Sequence, residues 1–258
     1  MSIEYQERLV CFIDLLGFKS TIDQTIENDE IRLRLYDVIK SLKERSLKAG
    51  MYATIPVLFA HPEKPFQLAS EVYGENIIDE LSEAFPLDIT QFSDSFVISC
   101  PSSEFGSCLL LLKCIYYIKI KFFYDLGMML RGGIALGQLI HEEDGVLFGP
   151  AMNEAYCIES QLASDPRVVI SENAYNHLRK FDENNPVLKP IFASDDDYKV
   201  FDLISVFDCP EIKIEFISEQ LEAIEKDILE NSEKAHSKIQ YLLDRCQQKQ
   251  KERDSQVL

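Results

Sequence analysis

The chain has 258 residues, is 46% hydrophobic and carries a formal charge of −18, which gives enough apolar material for one large domain, or a domain with an appendage. So acidic a protein repels nucleic acid and anionic membrane, and a phosphate-bearing ligand has to be drawn in locally by metal ions and a few arginines. No apolar run reaches the length of a membrane span, residues Met1–Glu7 lack the basic and apolar regions of a signal peptide, and the seven cysteines show no Cys-x-x-Cys spacing, so the expectation is a cytoplasmic protein with reduced thiols, most of them (Cys11, Cys100, Cys108, Cys114) within apolar runs.

Residues 8–14 form an apolar run without alternation, the pattern of a strand buried on both faces, and it ends in Asp14. In the following Leu15-Leu16-Gly17-Phe18, Gly17 permits a sharp turn, and the next residues open a helix whose free N–H groups suit phosphate. Ile31, Leu35, Val38, Ile39 and Leu42 predict one or two helices over 19–49, ending near Gly50. Met51–Phe59 reads as a strand and Ile77–Ser82 as a short helix. From Leu87 to Ser99, two β-branched and aromatic runs meet at Ser93-Asp94, a hairpin with a carboxylate at its tip. Ser102 and Ser103 are expected to cap a long helix with Leu109, Leu112, Ile115, Tyr116 and Phe123 on its apolar face, stopped by Asp125-Leu126-Gly127.

Met128–Ile140 reads as a strand punctuated by glycines, where backbone passes close to another group, with Arg131 as its only charge. After a turn at Glu142–Gly145, Pro150 stands early in a helix running through Ala155, Ile158 and Leu162. Arg167–Ile170 is a strand, Ser171 caps a helix to about Phe181, Tyr198–Ile204 is the last strand, and from Phe216 onward the chain is charged and helix-forming. The strand-end Asp14 and the hairpin-tip Asp94 would repel if they faced each other at one end of a sheet, unless a divalent cation sat between them.

In that order, Phe12-Ile13-Asp14-Leu15-Leu16-Gly17-Phe18, Ser93-Asp94, Leu130-Arg131-Gly132-Gly133-Ile134-Ala135-Leu136-Gly137 and Phe148-Gly149-Pro150-Ala151-Met152-Asn153 resemble the signatures of the class III nucleotidyl cyclase homology domain, from residue 8 to about 204. The Asp-Leu-Leu-Gly-Phe opening, the Ser-Asp-Ser tip and the Gly-Pro-Ala before Glu-Ala-Tyr are most similar to the bacterial pyrimidine cyclases of the Pycsar antiphage systems. The resemblance implies an α+β fold, a ferredoxin-like βαββαβ palm with extra strands and helices over residues 1–208, followed by a charged C-terminal helical extension over 209–258. It implies a pair of divalent ions, Mn²⁺ or Mg²⁺, held by Asp14, Asp94 and the carbonyl of Leu15, and a phosphate-holding turn at Gly17 and Phe18. Arg131 would reach the triphosphate, and Asn153 would orient the ribose from the partner subunit of a head-to-tail homodimer. The implied activity is conversion of UTP, with CTP as second choice, to the 3′,5′-cyclic mononucleotide and pyrophosphate, a second messenger read by a separate effector.

The sequence also departs from the purine-cyclase pattern. Thr90 and Val146 stand where purine cyclases carry a lysine and an acid or threonine, and Cys157 stands where a family arginine follows Asn153. Tyr52 falls where pyrimidine cyclases carry a bulky residue that narrows the base pocket. Three alternatives stay open: an inactive cyclase-like module that binds nucleotide, an adenylate or guanylate cyclase, and a relative of diguanylate cyclases or polymerase palms, against which the Ser-Asp-Ser tip counts.

Overall fold

The computed structural model describes residues 3–41, 77–142, 144–182, 192–195, 198–201, 214–227 and 233–256. The apolar run that ends near Asp14 becomes β1 (Gln6–Leu16), antiparallel to β3 (Ser95–Pro101) on one side and to β4 (Met129–His141) on the other. β2 (Asp88–Phe92) pairs with β3 as a hairpin, and its two-residue tip holds Ser93 at φ 51°, the left-handed region that tight hairpin turns use. Beyond β4 come β6 (Val168–Ile170), parallel to it, then β8 (Tyr198–Phe201) and β7 (Phe192–Asp195), while β5 (Leu147–Phe148) pairs only with the end of β4. Four of these strands, in the order β2-β3-β1-β4 and antiparallel throughout, form the palm expected of a βαββαβ core.

Helices cover both faces of this sheet, which is why β1 does not alternate. On one face, Leu9, Cys11, Ile13 and Leu15 of β1 pack with Phe18 of α1 (Phe18–Thr25), Leu35 and Val38 of α2 (Asp29–Ser41), and Leu111, Ile115, Ile118 and Phe122. α3 (Ile77–Ala84) precedes the hairpin, and the last four of those residues belong to α4 (Phe105–Leu126). On the other face, Val10, Phe12, Val97 and Ala135 lie under Ala151, Ala155 and Ile158 of α5 (Pro150–Leu162). After α6 (Glu172–Asp182), α7 (Ile214–Asp227) and α8 (Glu233–Gln256) pack their apolar residues against Phe123 and Met129. Among the described residues, no helix is long and apolar enough to cross a membrane.

Several local expectations hold. Gly127 ends α4 at φ 64°, and Ser171 Oγ accepts the Ala174 N–H at 3.2 Å as a cap of α6. Cys11, Cys100, Cys108 and Cys114 are buried and not in disulfides. Others need correction. Ser102 and Ser103 do not cap α4: the N-cap is Glu104, without a side-chain hydrogen bond, and the Ser102 hydroxyl instead donates to the Glu7 carbonyl at 3.1 Å, tying β3 to β1. β7 was not anticipated from sequence. The Met51–Phe59 segment, Tyr52 and the boundary at 208/209 lie outside the described residues.

A polar latch joins the C-terminal helix to β7. The Tyr241 hydroxyl donates to Asp195 Oδ2 at 2.5 Å and Arg167 Nη1 donates to the same oxygen at 2.8 Å. Burial works against charge on Asp195, but the hydrogen bonds from Tyr241 and Arg167 outweigh it and hold the carboxyl below its usual range. A carboxyl with a lowered folded pKa stabilises fully above its unfolded value, about 4, and loses that contribution as pH falls through the folded value. Asp195→Asn should therefore lower stability at pH 7 by about 1.5–3 kcal/mol, with the gap to wild type closing below about pH 4. A gap of constant size from pH 7 to pH 3 in urea titrations would rule out a charged latch.

Candidate active site

Alternate residues of a strand share a face, so Arg8, Val10, Phe12 and Asp14 all lie on the α5 side of β1. In register, Asp14 stands opposite Ser95 on β3 and Arg131 on β4. The Leu15 N–H donates to the Asp94 carbonyl at 3.0 Å, which fastens the hairpin tip to the end of β1. Asp14 and Asp94 are thereby backbone neighbours, both half-buried. Gly17, exposed and at φ 91°, N-caps α1 without any side-chain cap, so the first N–H groups of the helix lack a side-chain acceptor. Phe18 turns its ring into the main core, which leaves its backbone as the part able to meet a ligand.

Arg131 is not free. Its Nε–H donates to Asp14 Oδ2 at 3.0 Å, while Glu159 Oε1 lies 2.7 Å from the same nitrogen. Nε carries a single hydrogen and Asp14 takes it, so Glu159 Oε1 is a buried counter-charge without a hydrogen bond. Glu159 is only 2% exposed. Burial raises its pKa above the usual range, the Arg131 guanidinium opposes the rise and the Asp14 charge adds to it. The helix can bring Glu159 this close because position 133 is glycine: a Cβ there would sit 2.2 Å from the Ala155 carbonyl and 2.9 Å from the Glu159 nitrogen.

Two carboxylates, Asp14 and Glu159, thus flank one guanidinium, with Asp94 a backbone neighbour of Leu15 and Lys238 a second cation within electrostatic reach of Asp14. The donors are hard oxygens, the set that suits Mg²⁺ or Mn²⁺. Among the described residues no group of three or more His, Cys, Asp or Glu side chains would hold a metal ion, so ions here would need backbone carbonyl and ligand oxygens as well.

The other expected residues are dispersed. Asn153 is exposed on α5, as is Cys157 one turn on, and no hydrogen bond ties the Asn153 side chain to Asp14 or Asp94. Thr90 is half-buried on β2 with Oγ1 2.8 Å from His141 Nε2, and Val146 is exposed. Glu159 was missed in the sequence, although its place four residues after the inward-facing Ala155 was the available signal.

No family model matches the chain, and no curated protein matches it. Among solved structures it is similar to the adenylyl cyclase CyaB from P. aeruginosa, at 12% identity over 78% of this chain and 97% of that one, with a TM-score of 0.47. It is also similar to the guanylyl cyclase domain of the RhoGC fusion protein from the aquatic fungus Blastocladiella emersonii, at 16% identity, 77% and 95% coverage and a TM-score of 0.37. A third is an adenylate/guanylate cyclase/hydrolase from Silicibacter pomeroyi, at 13% identity, 77% and 95% coverage and a TM-score of 0.36. Likeness at this level transfers no residue's role, and what the site does is read from its own geometry.

The charge arrangement makes opposite predictions for two substitutions. A carboxyl whose folded pKa is raised costs stability when ionised, so Glu159→Gln should leave stability at pH 7 unchanged or higher. Arg131→Met removes the guanidinium that lies between Asp14 and Glu159 and should cost about 3 kcal/mol in metal-free buffer. Urea unfolding in chelator would decide, and equal losses for the two variants would refute this division of roles.

Proposed function

We propose that the protein is a nucleotidyl cyclase that converts a pyrimidine ribonucleoside triphosphate, UTP first and CTP second, to the 3′,5′-cyclic mononucleotide and pyrophosphate. The observation that carries this reading is the side-by-side placement of Asp14 and Asp94 at the end of β1, with Arg131 opposite Asp14. Asp14, Asp94 and the Leu15 carbonyl are the groups that would hold divalent ions, Mg²⁺ or Mn²⁺, and when bound these would lower the pKa of the ribose 3′-hydroxyl and neutralise triphosphate charge.

The chain's own groups do the rest. Backbone N–H groups after Gly17, at the start of α1, lack a side-chain cap and would bind phosphate oxygens. Arg131 supplies the positive side chain beside Asp14 and would offset the charge that develops on the leaving pyrophosphate. Among the described residues Asn153 has no side-chain hydrogen-bond partner, and it is exposed on α5, as a residue that completes the site of a second subunit would be, so the active species is read as a homodimer. Thr90 and Val146 give no lysine or acid to read a purine edge, and Tyr52 is the residue that would narrow the pocket. A cytoplasmic second messenger for antiphage defence, read by a separate effector, is the role the sequence resemblance suggests. Cys157, exposed where an arginine is expected, favours the one competing reading, a module that binds nucleotide without turning it over.

Incubating the protein with each of the four ribonucleoside triphosphates and Mn²⁺, followed by mass spectrometry, separates these readings. Cyclic UMP or cyclic CMP is expected, and cyclic AMP as the main product would refute pyrimidine selection. Asp14→Ala and Asp94→Ala should fold yet lose at least about a hundredfold in turnover. Near-normal turnover by either variant would exclude the carboxylates from the chemistry.

The dimer reading has its own test. In a mixed dimer of Asp94→Ala with Asn153→Ala, one site has both defects and the other has neither. Mixing the two inactive variants should therefore restore part of the activity, whereas full activity in a monomer would exclude a shared site.

A further inference from the structure

Asp14 and Arg131 lie between two helices that cover the same face of the sheet. Residues paired across β1 and β4 share a face, so the pairs Phe12 with Gly133, Asp14 with Arg131 and Leu16 with Met129 follow one another along it. Phe12 belongs to the cluster under α5, and Gly133 meets the backbone of that helix. Leu16 and Met129 belong instead to the cluster built by α7 and α8, in which Ile239 of α8 is fully buried. Asp14 and Arg131 are two residues along the strands from either covered pair, about 7 Å, and their side chains remain 21% and 27% exposed. Among the described elements, α5 and α8 are therefore the walls on either side of the place where this site meets solvent.

The wall at α8 carries a cation. Lys238 precedes the buried Ile239 and is itself half-buried, and it lies within electrostatic reach of Arg131, Asp14 and Asp165, all from other elements. Three residues on, and so on the same side of the helix, Tyr241 is latched to Asp195, which sets how α8 is turned. Burial and the like charge of Arg131 press the Lys238 pKa below the ordinary lysine range, against the pull of Asp14 and Asp165.

Among the described residues, no hydrogen bond or ion pair holds the Lys238 ammonium group. Arg131 is in a similar state at its outer edge. Asp14 and Glu159 both meet its Nε, and no described residue takes its Nη groups. Two cations without acceptors that share one opening repel each other, and an anion with several oxygens between them removes the repulsion and gives both an acceptor. The planar Nη edge suits a phosphate group, and an ammonium group suits a further oxygen of the same ligand.

We propose that Lys238, on the helix that follows the palm, binds the polyphosphate arm of the nucleotide together with the Nη groups of Arg131, so that the C-terminal helices are part of the substrate site. The proposal deepens the cyclase reading, from which it takes its ligand. It also gives the helices after the palm a task that packing against Phe123 and Met129 alone does not require, since an apolar residue at position 238 would avoid the cost of a half-buried charge.

The test uses the full chain and inorganic tripolyphosphate with Mg²⁺, which carries the arm without a nucleoside. In calorimetry, Lys238→Met, which keeps the apolar stem and removes the charge, should weaken binding by at least about tenfold, the worth of one hydrogen bond from a charged group. Lys238→Arg should retain most of the affinity. Lys234→Met, at an exposed lysine one turn earlier on α8, should change it by less than about threefold. With UTP as substrate, Lys238→Met should raise KM by a factor similar to the loss of tripolyphosphate affinity, while the thermal unfolding midpoint is not lowered. A loss in Lys238→Met no greater than in Lys234→Met, or no binding of tripolyphosphate by the wild type, overturns the proposal, even where a cyclic product forms and the cyclase reading stands. Tripolyphosphate binding that depends on Lys238 in a protein that cyclises no triphosphate supports the proposal while the cyclase reading fails.

Discussion

β1 is hydrogen-bonded on both sides, to β3 from Arg8 to Asp14 and to β4 along its whole length, and this double pairing fixes where every charge of the candidate site stands. Its odd-numbered residues Leu9, Cys11, Ile13 and Leu15 belong to one apolar cluster and its even-numbered Val10 and Phe12 to another. A slip of one residue would exchange the two sets and drive Arg8 and Asp14 into the main core. Burying either charge away from its partner costs several kcal/mol. The ordinary energetics of the core therefore hold Asp14 opposite Arg131, and the site itself needs no separate device to set that register.

Much of this was legible in the sequence because it depends on local chemistry. An apolar run without alternation, a Ser-Asp tip between β-branched runs, Gly127 after a long helix and Ser171 before a shorter one each report a backbone preference, and each appears as expected. Where partners compete, the sequence was a poorer guide. Ser102 had a helix to cap and a carbonyl of β1 to bind, and it took the carbonyl. The ion pairs of Arg131 with Asp14 and Glu159 were not legible either, because they join residues far apart in the chain. Glu159 was invisible as a site residue until α5 was laid on Gly133, since neither residue shows alone that the two backbones touch.

Under the cyclase reading proposed above, the same arrangement bears on how a chain of charge −18 would meet an anionic substrate. The field of the whole protein opposes a triphosphate, so attraction has to come from within about a Debye length, roughly 8 Å at physiological salt. Asp14 and Glu159 flank Arg131 there, with Asp94 a backbone neighbour and Lys238 within electrostatic reach of Asp14, and a divalent cation would make that small region more positive without changing the rest of the surface. On that reading, acidic character in the site is what would let an acidic protein hold phosphate, through a metal that arrives with it or before it.

On the same face as Asp14, Arg8 donates to Ser99 Oγ, whose own hydrogen goes to His141 Nδ1, so that Nε2–H donates to Thr90 Oγ1. This polar chain follows a different logic, visible in where its unmet hydrogen-bonding capacity lies. Buried polar groups in a sheet are costly unless each finds a partner, and a network kept only for stability closes on itself. Arg8 makes four hydrogen bonds at the buried end, and Ser99 and both imidazole nitrogens are matched. Among the described residues, the Thr90 hydroxyl hydrogen is the one in this chain without an acceptor, at its half-buried end. Replacing the chain with apolar residues would be a simpler way to fill this face of the sheet, next to Val97 and Phe12. The two ends of the chain differ accordingly: Arg8 is closed off by its partners at the buried end, whereas Thr90, at the half-buried end, keeps hydrogen-bonding capacity toward its surroundings.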